Sequence, residues 1–198
     1  MIEIKLKCSW KEHLVNGSYL NYGEKKLSDN ELYFVRHGLT NANRDGLMCG
    51  RKWDIELNEE GHEQARCSAV RSIQYNIQYL FVSPLKRALQ TAEYFSSALV
   101  IPLTIRKDLA EWDLGEWDRI PSHSVEEAFL RNEDPPKGEK FVDFRKRIRK
   151  EISDIKMYPN SLIISHGGVW RQISDIYLMD YNRAENCQIN KVIIPANL

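Results

Sequence analysis

Short apolar runs of strand length alternate along this chain with longer segments of helical periodicity. Glu31–Arg36, Tyr79–Val82 and Ser161–Ser165 predict strands, and Lys191–Ile194 is a fourth candidate. Capping residues or an apolar face predict five helices: Asn58 through Val70, Ser83-Pro84 to about Ala98, a short helix at Ser124 and Glu127, Phe141 to Ile155, and Gly168 to Tyr177. Because strands alternate with helices, the sequence favours an α/β layered fold with a mostly parallel sheet.

Length and charge limit the classes of protein to which the chain can belong. Its 198 residues fit a single domain over 1–198, with a core at 31–198 and an N-terminal extension at 1–30 whose role the sequence leaves open. Twenty-eight basic and 28 acidic side chains give zero formal net charge, which weighs against a nucleic-acid partner. The chain has no apolar run of membrane-spanning length, and its start does not look like a signal peptide. We therefore expect a soluble cytoplasmic protein with no membrane partner.

Basic and imidazole side chains follow the predicted strands at the point where each strand ends. Arg36 and His37 end the first run, His166 directly follows the run at 161–165, and Arg87 lies in the first turn of the helix after the run at 79–82. Ligands of open α/β sheets bind beyond the carboxyl ends of the strands. We therefore expect two histidines and two arginines at one edge of the sheet.

A phosphoryl group is the natural partner for such a cluster, because arginine forks match phosphate oxygens. One histidine could attack phosphorus as a neutral imidazole while the other donates a hydrogen bond to the oxygens. The leaving oxygen also needs a proton donor. Four carboxylates in the segment 109–118 are candidates, and the residues alone do not rank them: Glu111, Asp113, Glu116 and Asp118.

Five sequence blocks resemble the histidine phosphatase superfamily, also called the phosphoglycerate mutase-like family, in the order that this family has them. They are LYFVRHGLTNAN at 32–43, GHEQA at 61–65, VSPLKRALQTA at 82–92, LAEWDLGEW at 109–117 and ISHGG at 164–168. An Arg-His-Gly triplet alone is a weak signal, whereas five blocks in order are a specific one. The resemblance covers about residues 31–194 and implies a three-layer α/β/α fold with a mostly parallel central sheet.

The resemblance also implies a role for each matching residue. His37 is the expected nucleophile, Arg36, Arg87 and His166 form the phosphate pocket, and Glu111 is the proton donor. Asn43, Cys49, Gly50 and the backbone of Gly167 are expected to bind the phosphoryl group. The family members that resemble this chain need neither a metal nor another cofactor, and we expect none here.

Some residues have ordinary alternative explanations. Trp112 and Trp117 could wall the substrate pocket or belong to the core, and Lys137 could meet a second anionic group or face solvent. The basic run at 145–150 lies on an amphipathic helix and is interpreted as a solvated face. The remaining histidines, at positions 13, 62 and 123, are interpreted as surface residues.

We therefore predict a metal-independent phosphomonoesterase that hydrolyses a small-molecule phosphate ester through a phosphohistidine intermediate. Two alternatives remain: a phosphoglycerate-type phosphomutase, and a non-catalytic phosphate-binding protein of the same fold. Only 54 residues separate Glu111 from His166, a short connection that favours the hydrolase over the mutases of the family. A homodimer is compatible with the sequence, which does not fix the assembly or the substrate.

Overall fold

The computed structural model describes residues 31–192 as an α/β fold. Five strands form one sheet: β1 (Leu32–Arg36), β2 (Tyr79–Val82), β3 (Leu103–Ile105), β4 (Ser161–Ser165) and β5 (Ile189–Val192). Six helices connect them: α1 (Asn41–Arg44), α2 (Glu59–Ser72), α3 (Lys86–Leu99), α4 (Glu126–Leu130), α5 (Phe141–Ile155) and α6 (Gly167–Ile176). The predicted N-terminal extension, with His13, and the last two residues of the fourth predicted strand lie outside the described residues.

The sheet has the strand order β3-β2-β4-β1-β5. The first four strands are parallel to one another, and β5 joins the edge antiparallel to β1. The carboxyl ends of β1, β2 and β4 therefore lie side by side. This confirms the mostly parallel sheet expected from the sequence and brings the residues that follow these strands to one edge.

Alternate side chains of the strands face two separate layers of helices. Leu32, Phe34 and Ile163 pack on one face with Phe144 and Ile148 of α5, in a cluster that also holds Trp170 of α6. Their sequence neighbours pack on the other face with α2 and α3, in a cluster that includes Tyr33, Val35, Ile164, Ala69, Ala88 and Phe95. The central strands β1 and β4 are thus buried on both faces, as strands of parallel sheets usually are. The fold is the expected three-layer α/β/α arrangement.

Two predicted helix starts were wrong. Ser83 is not in the capping position of α3, which begins at Lys86 with Leu85 as its cap. The Ser83 hydroxyl instead accepts from the Leu85 amide at 3.3 Å and lies 2.6 Å from Nε2 of His166. Ser124 lies at the end of a short 3-10 turn, and α4 begins without a side-chain cap. Asn58 does cap α2 as predicted, since its side chain accepts a hydrogen bond from the Gly61 amide at 2.8 Å.

The structure also decides between the alternatives for several side chains. Trp112 and Trp117 are buried in the core cluster, and the Trp112 ring stacks on Phe144. Lys137 is exposed and pairs with Glu116 across 2.5 Å. His123 is exposed, as expected, whereas His62 is half-buried and lies 3.2 Å from the Tyr94 hydroxyl. Among the described residues, no helix has the length and apolar character needed to cross a membrane.

Candidate active site

The register of β1 against β4 places the two predicted site histidines next to each other. Arg36 pairs with Ser165 in the sheet, and the His37 amide donates to the Ser165 carbonyl at 2.9 Å. His37 and His166 are the next residues on their strands, and their ring centroids are 5.2 Å apart. Both side chains are buried. The sheet edge therefore holds two buried imidazole rings side by side.

Two hydrogen bonds fix the His37 ring in one tautomer. Nδ1 lies 2.8 Å from the Gly38 carbonyl oxygen, which can only accept, so Nδ1 carries the hydrogen. Nε2 lies 3.2 Å from Nε of Arg87, which can only donate, so Nε2 presents its lone pair. Burial, followed by the positive charges of Arg87 and Arg36, holds the pKa of His37 well below its usual range. His37 is therefore a neutral imidazole with a nucleophilic Nε2.

Arg87 joins His37 to the loop that follows α1. Its guanidinium donates to the carbonyl oxygens of Trp53 at 3.2 Å and of Cys49 and Gly50 at 3.3 Å. Cys49 and Gly50, predicted to bind the phosphoryl group, thus contribute carbonyls that orient the arginine. Burial raises the pKa of the Cys49 thiol to about 11, so the sulfur is a protonated pocket wall rather than a nucleophile.

Three predicted site residues carry a buried polar atom that has no hydrogen-bond partner among the described residues: Nε of Arg36, Nδ1 of His166 and Oδ1 of Asn43. A buried polar atom without a partner is uncommon in native proteins, and a functional role is one explanation for it. Arg36 is anchored at its other end, where Nη1 donates to the Ala184 carbonyl at 3.2 Å. The unpaired Arg36 nitrogen is a free donor, and Gly167 leaves room beside it, since a Cβ there would lie 3.7 Å away.

Glu111 reaches the site from the segment that follows β3. One carboxylate oxygen accepts from the Trp112 amide at 2.9 Å, and the other accepts from the Gly168 amide at 3.0 Å. Burial raises the pKa of Glu111, although these two amides and the charges of Arg87 and Arg36 act in the opposite direction. A Cβ on Gly168 would lie 2.3 Å from a Glu111 oxygen, so only glycine allows this approach.

The other three acids of the segment have different partners. Asp113 is buried and pairs with Lys52 at 3.0 Å, and Glu116 pairs with Lys137 at the surface. Asp118 accepts from the Gly50 amide at 2.5 Å and so supports the loop that holds Arg87. Glu111 is thus the acid that contacts the first turn of α6 directly after His166. Among residues 31–192, no group of three His, Cys, Asp or Glu side chains could hold a metal ion.

Sequence analysis missed two features of the site. Ser83, buried at the end of β2, lies 2.6 Å from Nε2 of His166 and orients that ring. Its place after an apolar strand, like that of the two histidines, was the signal that could have found it. The second feature is the segment before β5, where the Asn186 side chain donates to the His37 carbonyl at 2.7 Å and the Cys187 amide donates to the Arg36 carbonyl at 2.8 Å. No motif marks these long-range contacts.

Comparison with known proteins agrees with the fold. The family model of the histidine phosphatase superfamily (branch 1) matches residues 32–194. The uncharacterized phosphatase PhoE of Bacillus subtilis is 33% identical over 138 residues, which cover 67% of this chain and 69% of that protein. The adenosylcobalamin/alpha-ribazole phosphatase of Escherichia coli is 29% identical over 151 residues, covering 70% of this chain and 74% of its own.

One similar solved structure is named a mutase rather than a phosphatase. The phosphoglycerate mutase of Thermus thermophilus superposes with a TM-score of 0.66 at 27% identity, over 81% of this chain and 91% of that one. An α/β sheet edge with two buried histidines, two arginines and an enclosed carboxyl group suits the binding of a phosphoryl group. The chain belongs to the histidine phosphatase superfamily. It is an enzyme of the histidine phosphatase type.

Proposed function

We propose that the protein is a metal-independent phosphomonoesterase that hydrolyses a small soluble phosphate ester through a phosphohistidine on His37. The observation that carries this proposal is the bonding of the His37 ring, because Nδ1 is tied to a carbonyl and Nε2 faces a guanidinium donor. An imidazole held in this way can attack phosphorus without first losing a proton. Positive charge for the phosphoryl oxygens comes from the two arginines, so the reaction needs no metal.

The phosphoryl group would bind against the unpaired donors of the site. Arg36 offers Nε, and the Ser83 hydroxyl can donate to Nε2 of His166, which leaves a hydrogen on the unpaired Nδ1. The guanidinium of Arg87 would exchange its bond to His37 for a bond to a phosphoryl oxygen, which frees the Nε2 lone pair. Such charge-assisted donors are most effective in an enclosed site. Asn43 and the Gly167 amide would complete the pocket.

In the first step, Nε2 of His37 bonds to phosphorus while the bond from phosphorus to the ester oxygen breaks. Protonated Glu111 gives its proton to that oxygen, and the alcohol leaves. In the second step, ionised Glu111 takes a proton from water as the water oxygen bonds to phosphorus and the P–N bond breaks. Inorganic phosphate leaves, and both His37 and Glu111 regain their starting protonation. The raised pKa of Glu111 suits it to give a proton in one step and accept one in the next.

Support for a small ester comes from the relatives. The Escherichia coli relative is named for a small-molecule phosphate ester. This chain has a formal net charge of zero, so it lacks the excess of positive charge that would attract an extended polyanion. Nucleic acid is therefore not the proposed substrate.

The test is phosphate release from 4-nitrophenyl phosphate and a panel of metabolite esters in the presence of EDTA. We expect wild-type activity to survive EDTA and His37→Ala to lose it, while the control His62→Ala, a histidine outside the site, remains active. Acid-labile phosphate on the wild-type protein after a rapid quench would identify the intermediate. Equal activity in wild type and His37→Ala would contradict the proposed nucleophile, and loss of activity in EDTA would contradict metal independence.

A phosphoglycerate-type phosphomutase is the second candidate, favoured by the Thermus thermophilus neighbour. A mutase must keep its phosphoryl group and return it to the substrate, whereas a hydrolase gives it to water. Interconversion of phosphoglycerates that requires 2,3-bisphosphoglycerate, with little phosphate release, would favour the mutase. Net release of phosphate from the same esters would favour the hydrolase.

A further inference from the structure

Arg147 departs from the solvated helix face on which the sequence analysis placed it. It lies on α5, but only 14% of its side chain is exposed. Its Nη1 donates to the carbonyl oxygens of Asp108 at 2.6 Å and Ala110 at 2.7 Å, and its Nη2 donates to the Glu111 carbonyl at 3.0 Å. The guanidinium therefore holds three carbonyls of the short segment that carries Glu111.

Glu139 fixes Arg147 in this position. Its carboxylate accepts from Nε of Arg147 at 2.8 Å and from Nη2 at 3.0 Å, and only 10% of its side chain is exposed. The Glu139 carbonyl accepts from Nε1 of Trp112 at 2.7 Å, and its amide donates to the Asp113 carbonyl at 2.9 Å. Arg147 thus binds residues before Glu111 in the sequence, and Glu139 binds residues after it.

These contacts surround Glu111 without touching its carboxyl group. The carboxyl group is bound by the amides of Trp112 and Gly168. The orientation of the Glu111 backbone depends instead on the hydrogen bonds that its own carbonyl and those of its neighbours accept. An arginine fork with five donors in one plane can set that direction, and a lysine cannot reproduce it. Small displacements of a catalytic group can cost about a hundredfold in rate.

We infer that Arg147, held by Glu139, is a positioning residue that keeps Glu111 in the orientation from which it protonates the leaving group. This inference rests on the proposed role of Glu111 as the general acid. Arg147 acts through the backbone of residues 108–111 and has no contact with the reacting atoms. The ion pair links α5 and the loop before it to proton transfer at the sheet edge.

The test compares Arg147→Lys and Glu139→Gln with wild type on two aryl esters. The leaving group of 4-nitrophenyl phosphate is a weak base that needs little protonation, whereas that of phenyl phosphate needs more. We expect Arg147→Lys to lower kcat for phenyl phosphate by about a hundredfold, with a smaller loss for 4-nitrophenyl phosphate and little change in KM. Glu139→Gln should show the same order with smaller losses. Arg149→Lys, two positions along the same helix and exposed, is the control and should behave as wild type.

A second comparison separates positioning from a purely structural role. In a Glu111→Gln background, Arg147→Lys should cost less than about twofold further, because residues that act through one another are not additive. Circular dichroism and thermal unfolding identify the folded variants, and Glu139→Gln keeps the test open if Arg147→Lys does not fold. Equal losses on both esters, additive losses with Glu111→Gln, or no loss in folded Arg147 and Glu139 variants would overturn the inference. If Glu111→Gln alone is fully active, the proposed function fails at Glu111 and the positioning role fails with it.

Discussion

Nε of Arg87 donates a hydrogen bond to Nε2 of His37 across 3.2 Å. This bond joins the end of β1 to the first turn of α3 and couples the nucleophile to the side chain that would bind the phosphoryl group. The same guanidinium is held by three carbonyls of the loop at 49–53. One buried arginine therefore helps to fix the His37 tautomer and, in the proposed reaction, would also bind the phosphoryl oxygens.

Arg87→Lys keeps a positive charge but loses the planar fork. We expect kcat/KM for phosphate esters to fall by about 10²–10³-fold, the usual cost of losing an oriented donor at an active site. The free energy of unfolding should also fall by about 1–3 kcal/mol, because buried carbonyls lose their donors. Steady-state kinetics and denaturant unfolding measure the two effects. A lysine variant with wild-type kcat/KM would show that the fork is not needed.

Glu111→Gln removes the proposed proton donor while keeping the shape of the side chain. General acid catalysis is worth about 10²–10⁴-fold, and we expect kcat to fall within this range on esters with basic leaving groups. The pH profile gives a second readout. Since the first step needs protonated Glu111, the wild-type kcat/KM should fall as the pH rises through the raised pKa of this group. The fall of kcat/KM at high pH should be absent in Glu111→Gln. If the variant still shows this fall, the group that titrates is another residue.

Gly168→Ala places a methyl group where the Glu111 carboxyl now lies. The added Cβ would be 2.3 Å from a carboxylate oxygen, so the carboxyl must move. We expect a loss of about a hundredfold in kcat from this displacement. Gly167→Ala is the matched comparison, because its Cβ meets no atom closer than 3.7 Å, and it should lose less. If the two alanine variants have the same kcat, the position of the Glu111 carboxyl does not limit the reaction.

Ser83→Ala removes the hydroxyl next to Nε2 of His166. The buried ring is left with neither nitrogen bonded among the described residues, and such a loss costs about 1–3 kcal/mol in the free energy of unfolding. We also expect kcat/KM to fall, because the ring loses its fixed tautomer. Ser72→Ala is the control: Ser72 is also buried, and its hydroxyl donates to the Ala69 carbonyl at 2.6 Å in α2. It should lose stability and keep kcat/KM.

The two buried histidines should make the fold sensitive to acid. Burial, then the charges of Arg87 and neighbouring groups, holds the pKa of both His37 and His166 well below the unfolded value of about 6.5. As the pH falls below about 6.5, the unfolded chain takes up protons that the folded chain refuses, so the free energy of unfolding decreases. Each histidine can contribute up to about 1.4 kcal/mol per pH unit in this window.

Denaturant unfolding between pH 7.5 and 5 measures this slope. The variant His166→Asn should lose part of it, whereas His123→Asn, at an exposed position, should keep the wild-type slope. If the free energy of unfolding of His166→Asn has the wild-type dependence on pH, the His166 ring takes up its proton at the same pH in the folded and the unfolded chain.

The residues at strand ends could be placed from the sequence because the argument is local. A strand that ends at Arg36 and another that ends at Ser165 bring His37 and His166 to the same edge once the sheet is parallel. The choice of Glu111 over Asp113, two residues away, could not be made from side-chain chemistry, since it depends on which carboxyl meets the first turn of α6. The family resemblance supplied that choice.

Arg147 shows the other limit of sequence-based prediction. The nearby Lys146, Arg149 and Lys150 on α5 are charged and exposed, and the amphipathic pattern places Arg147 with them on the solvated face. A long side chain can nevertheless turn toward the protein when carbonyl oxygens lie within its reach. Those carbonyls belong to residues 108–111, more than 30 positions earlier in the chain. Ser83 was assigned to a helix cap for a similar reason, because its partner His166 is 83 positions away.

The bonds that fasten the end of β1 come from residues that lie far later in the chain. Ala184 and Asn186 hold Arg36 and His37 across 148 and 149 positions. A ribosome therefore makes His37 well before it makes the groups that fix this residue. A chain cut short before residue 184 would contain all five proposed catalytic residues and still lack these fastenings. Synthesis of His37 and completion of the contacts that fix it are thus separate events in time.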